Sequence, residues 1–309
     1  MASKRQYQGL AALEDPGIIE TVVNKQFVPF FKKMGADKGR IGLDATTFML
    51  MTTLQKALPN AKVVDGDQAL AEAKVVKNSE EIKCMRNAAL GADIGLHAGM
   101  KSIEVGKREC EVLGEAMKAM YTNGMEVPQC NLIVASGDHT SPLHRFASDR
   151  MINHNDLVFM DLGGCFTGYF SDATRTIIFG KPTNAQKEIY KAVYGMIQEI
   201  ERSMKPGATN IELNEKVRGT LKGTKFEKHS YFGVLGHAIG IGPFESPLIG
   251  DPAASGEKVF KLEPGMVFSM EPGVFVEGIG GVRLENQFLV TETGVESLEK
   301  TPYDENLLA

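Results

Sequence analysis

The sequence predicts an α+β protein. A largely antiparallel sheet is covered by pairs of helices, the helix–helix–strand unit is repeated about a pseudo-twofold, and a small α/β piece precedes it. Three observations predict this. Helix-capping patterns recur in both halves of the chain, and strands rich in β-branched and aromatic residues follow each helix pair. The joints between paired helices also correspond, Met100-Lys101 then Gly106 in one half and Met204-Lys205 then Gly207 in the other, at an offset of about 100 residues.

Residues 1–75 read as a remnant or shortened N-terminal α/β domain, and 76–309 as the main domain. Within the first, 18–34 has helical spacing, 40–44 reads as a strand, 46–58 as a helix and 61–65 as a strand. Seventy-odd residues bury too little surface to make a comfortable domain alone. Asn78 with Glu81 then forms a capping-box pattern, and Ile82, Met85, Ala89, Ala92 and Leu96 share one helical face. A second helix over 107–121 buries Val112, Leu113, Ala116, Met117 and Met120, and Asn123-Gly124 stops it. Thr183 with Gln186 and Thr209 with Glu212 open the second pair, which carries Ile189, Val193, Ile197 and Ile200, then Leu213, Val217 and Leu221. Strands are predicted at 131–135, 157–161, 166–169, 173–179, 267–270, 281–284 and 287–291.

The chain has 309 residues, 43% hydrophobic and 24% charged, with a formal charge of −5. That is the profile of a folded globular protein, with no basic surplus to neutralise phosphates, so nucleic acid is excluded as a partner. The longest apolar runs, such as Leu157-Val158-Phe159-Met160, fall far short of a membrane span. The N-terminal basic residues lack a following apolar run, which argues against a signal peptide. Cys84, Cys110, Cys130 and Cys165 show no paired spacing and read as free, largely buried thiols of a cytoplasmic protein.

The chemistry lies in carboxylates set among apolar strand residues. Asp161 ends the run 157–160, and Asp172 follows eleven residues later, beyond a Gly163-Gly164…Gly168 turn that would bring it to face Asp161 across adjacent strands. Two facing carboxylates repel unless a proton or cation lies between them. Glu271 follows Val267-Phe268-Ser269-Met270, Glu285 follows Val282-Arg283-Leu284, and His237 sits among small residues in Gly236-His237-Ala238-Ile239-Gly240. Each has an ordinary alternative: Asp172 paired with Arg175, Glu285 with Arg283 or Asn286, Glu271 as a turn acid before Pro272-Gly273. Four such acids together favour a site for two divalent ions, Mn, Fe or Co ahead of Zn, with no thiolate ligand. Two ions roughly 3.5–4 Å apart would share a bridging hydroxide and polarise a substrate carbonyl.

The stretches Asp161-Leu162-Gly163-Gly164…Tyr169-Phe170-Ser171-Asp172-Ala173-Thr174-Arg175-Thr176, Gly236-His237-Ala238-Ile239-Gly240, Met270-Glu271-Pro272-Gly273 and Gly281-Val282-Arg283-Leu284-Glu285-Asn286 resemble the pita-bread metallohydrolases. This is the methionine aminopeptidase, aminopeptidase P, prolidase and creatinase group. The resemblance implies a pita-bread fold over 76–309 and a homodimer. It implies Asp161, Asp172, His237, Glu271 and Glu285 as ligands of two metals. Asp161 would chelate one ion, Asp172 and Glu285 would bridge, and His237 and Glu271 would complete the other. Catalytic roles fall to Glu271 as proton shuttle, to His144 in Ser141-Pro142-Leu143-His144-Arg145 as a group steadying the substrate, and to Arg283 beside the last ligand. His97, on a helix, is read as structural, and His139 and His154 as surface residues.

The Tyr-x-Ser-Asp-x-Thr-Arg-Thr form is nearest the Xaa-Pro peptidase and creatinase branch. The chain departs from that branch at two places: Phe244 and Gly233 stand where such peptidases carry histidines. The first expectation is a metallopeptidase cleaving before proline. The second is a non-peptidase on the same scaffold, a creatinase-like C–N hydrolase or a dimethylsulfoniopropionate lyase-like enzyme. The third is a non-catalytic binding module, whose usual loss of ligands this chain does not share.

Overall fold

The computed structural model describes residues 15–44, 47–126 and 132–309. Expectations resting on residues 1–14, on position 46, on Cys130 and on Asn131 lie outside the described residues. The chain divides into two units, Met1–Ala73 and Lys74–Ala309.

In the first unit the Asp15 carboxylate accepts from the backbone N–H groups of Gly17 and Ile18 and starts helix α1 (Pro16–Val22), with proline at its head. The helix passes through a π turn at Val23–Phe27 and continues as α2 (Val28–Lys33). Strand β1 (Arg40–Leu43), helix α3 (Phe48–Ala57) and strand β2 (Lys62–Asp65) follow, with β1 and β2 parallel. Ile19, Val23, Ile41, Leu54, Leu58 and Ala61 form their core. Helix α4 (Asp67–Lys74) was not anticipated; it has good helix formers but buries no residue, so it carries no hydrophobic period to read.

The second unit opens with α5 (Ser79–Ser102), held by the Asn78–Glu81 capping box, and α6 (Glu109–Thr122). Strands β3 (Ile133–Ser136), β4 (Asp156–Leu162), β5 (Cys165–Phe166), β6 (Tyr169–Phe170) and β7 (Ala173–Phe179) come next. β3, β4 and β7 form an antiparallel sheet in that order. The expected strand over 166–169 is instead the tight hairpin of β5 and β6. Thr167 and Gly168 turn the chain at φ values of 52° and 79°, which no strand residue adopts.

The second helix pair is α7 (Asn184–Ser203) and α8 (Asn210–Gly219), each with a formed capping box. After it come β8 (Gly236–Ala238), β9 (Glu245–Ile249), a short helix α9 (Pro252–Ser255), β10 (Val267–Met270), β11 (Gly273–Val276), β12 (Gly280–Arg283), β13 (Asn286–Val290), β14 (Val295–Ser297) and α10 (Glu305–Leu308). Five of these strands make an antiparallel sheet ordered β14-β13-β10-β8-β9, and β11 pairs with β12.

Each half of this unit has its own core. Ala92, Leu96, Val112 and Ala116 of α5 and α6 pack on Val158, Met160 and Leu162 of β4. Ile189, Val193, Ile197, Leu213 and Val217 of α7 and α8 pack in a cluster with Phe268, Met270, Phe288 and Val290. A strand alternates sides with period two, so the residues between those core positions face away from the helices. That places Phe159 and Asp161 of β4, and Ser269 of β10, on the inner side, where the site is built.

Among the described cysteines only Cys165 is buried; Cys84 is half-buried and Cys110 exposed on α6, so the expectation of largely buried thiols does not hold.

Candidate metal centre

Asp161 lies in β4, Asp172 immediately before β7, His237 in β8, Glu271 immediately after β10, and Glu285 between β12 and β13. Ligand atoms of Asp172, His237 and Glu285 all lie within 4.8 Å of one another, and all three residues are buried. Asp161 and Asp172 face each other as the hairpin reading has it, their carboxyl groups interacting on a diagonal rather than in direct register. Asp161 pairs with Thr174 in the β4–β7 register, and Asp172 stands two residues before Thr174.

Hydrogen bonds fix the orientation of these groups. The Thr174 hydroxyl donates to Glu285 Oε2 at 2.6 Å, the Ser269 hydroxyl donates to Oε1 at 2.8 Å, and the Glu285 N–H donates to the Thr174 carbonyl at 3.0 Å. His237 Nδ1 lies 3.0 Å from the Ala238 carbonyl, so Nδ1 carries the proton and Nε2 presents its lone pair, 3.6 Å from Asp172 Oδ2. Neither Thr174 nor Ser269 was singled out in the sequence. The signal was present: each lies two residues from a ligand on its strand, Thr174 after Asp172 and Ser269 before Glu271.

The ordinary ion pairs form differently. Arg175 is fully buried and donates to the carbonyls of Thr174, Glu285 and Thr301 and to Asn286 Oδ1. Arg283 binds Asp161 Oδ2, lies 3.5 Å from Glu271 Oε2, and packs its guanidinium over the Phe159 ring at 5.2 Å. It also donates to the Leu143 carbonyl at 3.4 Å, next to His144.

The electrostatics point the same way. Burial, then Glu285, push Glu271 up to about 8. Burial pushes Asp161 up to about 6 against the pull of Arg283, and burial with Glu285 and Asp161 drives Asp172 well above the carboxylate range. Burial also lowers the His237 pKa and keeps the ring neutral. One guanidinium among four carboxylates leaves a surplus of negative charge that only protons or cations can neutralise. A neutral imidazole and oxygen-only partners suit hard to borderline divalent ions, so the donor set fits the expected pair. The buried Asp161 Oδ1, with no hydrogen-bond donor assigned to it, is a further acceptor for such an ion.

A cavity of about 290 Å³ opens onto this cluster. Asp161, Asp172, His237, Glu271 and His144 line it together with Leu143, Tyr231, Val234, Phe244, Gly273 and Phe275. Phe244 lays its ring against His237, centroids 4.3 Å apart. The pKa of His144 is lowered by burial and then by Arg283. The remaining histidines stay outside the cavity. His97 bonds the Asp93 carbonyl within α5, and His154 stacks on Phe179. His139 is not a bare surface residue: its Nδ1 lies 3.2 Å from both oxygens of Glu109, which is fully buried.

Residues 83–292 match the model of metallopeptidase family M24. The chain is 36% identical over 263 residues to a Xaa-Pro dipeptidase of Pyrococcus furiosus, covering 84% of this chain and 74% of that one. It is 34% identical to a Xaa-Pro dipeptidase of Pyrococcus horikoshii, covering 90% and 77%. Among solved structures it is similar to the prolidase from Pyrococcus furiosus, with a TM-score of 0.81 at 32% identity over 90% of this chain and 80% of that one. A Xaa-Pro dipeptidase from Bacillus anthracis gives 0.82 at 31% identity over 93% and 77%. Eleven of the fourteen described strands and all five candidate ligands fall inside the matched segment, and the chain belongs to the M24 metallopeptidases and has their pita-bread fold.

Proposed function

We propose that this chain is a dinuclear-metal hydrolase that cleaves the peptide bond before proline in small peptides. The observation that carries the reading is the buried Asp172–His237–Glu285 cluster at the base of a cavity that Glu271 and His144 also line. Asp161, Asp172, His237, Glu271 and Glu285 would hold the two ions, with Mn, Fe or Co ahead of Zn because four of the five donors are carboxylates. When bound, the ions supply Lewis-acid polarisation of the scissile carbonyl and a water acidic enough to attack it.

The chain's own groups do the rest. Glu271, which lines the cavity, would take a proton from the attacking water and return it to the departing proline nitrogen. His144 donates to the carbonyl oxygen as charge develops there. Arg283 keeps Asp161 and Glu271 in place and ties the loop before His144 to them. The same reading includes a homodimer in the cytoplasm.

The experiment is turnover of a panel of Xaa-Pro dipeptides and tripeptides by Mn²⁺-loaded protein, with Glu271→Ala beside it. The expected result is cleavage by the wild type and a loss of roughly 10²–10⁴-fold in the variant. Protein that binds two ions yet cleaves none of the panel would overturn the peptidase reading and turn attention to small C–N substrates and sulfonium compounds.

A further inference from the structure

The cavity wall is short of hydrogen-bond donors. Of its lining residues, Asp161, Asp172, Glu271 and His237 belong to the metal cluster, and Leu143, Val234, Phe244, Gly273 and Phe275 offer no polar side chain. Two side chains remain that can donate to a substrate, His144 and Tyr231. Among the described residues no lysine lines the cavity, and Arg283 is spent on Asp161, Glu271 and the Leu143 carbonyl.

Tyr231 reaches the cavity because of the residue two places on. A side chain at Gly233 would put its Cβ 2.3 Å from the Tyr231 hydroxyl and 2.4 Å from Cζ, so the phenol ring lies folded over bare glycine backbone. The segment is pinned at its start: the Ser230 hydroxyl donates to the Gly273 carbonyl at 2.6 Å, and Ser230 bridges to Val274 in β11. It is pinned at its end by the Glu271 N–H, which donates to the Leu235 carbonyl at 2.9 Å. The phenol is thereby carried on backbone that is hydrogen-bonded to Glu271 itself.

We propose that Tyr231 is a substrate-binding residue of this enzyme, its hydroxyl donating to a substrate oxygen from the place that Gly233 leaves open. The proposal rests on the peptidase reading above. It makes Gly233 a specificity position: any larger residue there evicts the phenol without touching a metal ligand.

Tyr231→Phe removes the hydroxyl and keeps the ring. In Mn²⁺-loaded protein acting on Ala-Pro, KM should rise about tenfold while kcat stays within about threefold, the loss of one donor to a substrate oxygen. Gly233→Ala keeps the hydroxyl in the chain but takes its place, and because the phenol is free to swing outward the fold should survive. The same KM rise with an unchanged Tm is expected. A binding readout is available because the chain has no tryptophan. Titration of metal-loaded protein with L-proline should perturb the tyrosine ultraviolet spectrum, and Tyr231→Phe should abolish that change. Wild-type turnover with an unaltered KM in either variant overturns the Tyr231 assignment alone. No turnover by the wild type overturns both this assignment and the peptidase reading.

Discussion

Glu285 is the most firmly held of the four acids and one histidine in the cluster, since hydroxyls from two different sheets already fill one lone pair on each carboxylate oxygen. Thr174 does double duty, because Arg283 Nε also approaches its hydroxyl at 3.3 Å. Thr174→Val keeps the volume and deletes the donor, so metal affinity should fall roughly 10–100-fold, as it does when groups orienting a ligand are lost. Competition against a chromophoric chelator measures this, and an affinity equal to wild type would show that Glu285 needs no such support. Phe244 is a different case: it is half-exposed and rests on His237, so Phe244→His keeps a ring there and adds a donor at the cavity edge. Cleavage of Xaa-Pro peptides should rise or hold; a fall in kcat/KM would mean that the pocket is shaped for another substrate. At this scale the candidate ligands were legible because an acid ending an apolar strand is chemically conspicuous. Their supports at i ± 2, and the pairing of Arg283 with Asp161 across 122 residues, depend on register, which residue types alone do not encode.

Along the elements, the helix faces and caps could be read directly, since a 3.6-residue period and a capping box are both local patterns. The 166–169 strand was misread because aromatic content outweighed a Thr-Gly turn, and α4 was missed because it buries nothing. Helix α5 hides a further feature. Gly91, Gly95 and Gly99 form a row at four-residue spacing where added Cβ atoms would meet the sulfur atoms of Met125, Met120 and Met160 at 2.2, 2.6 and 2.8 Å. The row lets the helix lie close on α6, the segment after it and β4 while flexible methionines fill the gap. Two effects compete on substitution. Alanine gains up to about 1 kcal/mol of helix propensity over glycine. Overpacking costs about 1–3 kcal/mol when neighbours cannot yield. For Gly95→Ala the Met120 tail can shift, so stability should stay within about 1 kcal/mol of wild type, whereas Gly95→Val adds a branch and loses the propensity gain, and should cost about 2 kcal/mol or more. Urea unfolding of the pair decides it; equal losses would mean that the methionines are as unyielding as backbone.

Across the main unit, the metal cluster joins two cores that are otherwise separate. Asp161 and Asp172 come from the sheet packed under α5 and α6, and His237, Glu271 and Glu285 from the strands packed with α7 and α8. Ions bound there tie the two halves together and stabilise the fold by mass action. Without ions, the burial that raises Glu271 to about 8, Asp161 to about 6 and Asp172 well upward has the opposite sign of an ordinary salt bridge. Unfolded carboxyls titrate near pH 4, so from about pH 4 to 8 the folded metal-free protein holds more protons than the unfolded chain. Its stability is therefore fully present at the acid end and is lost as pH rises through 6 and 8. His237, whose pKa burial lowers, works the other way, but only below its unfolded value of about 6.5. Glu299, which burial raises to about 8, titrates in both forms and cancels from their difference. Metal loading replaces the protons, and the loaded protein should lose this dependence. The Tm gap between loaded and chelator-treated protein should be small near pH 5, where protons compete with the ions, and widen steadily to pH 8. A gap of constant size across that range would mean that the carboxylates are already ionised without metal, and that Arg283 alone balances them.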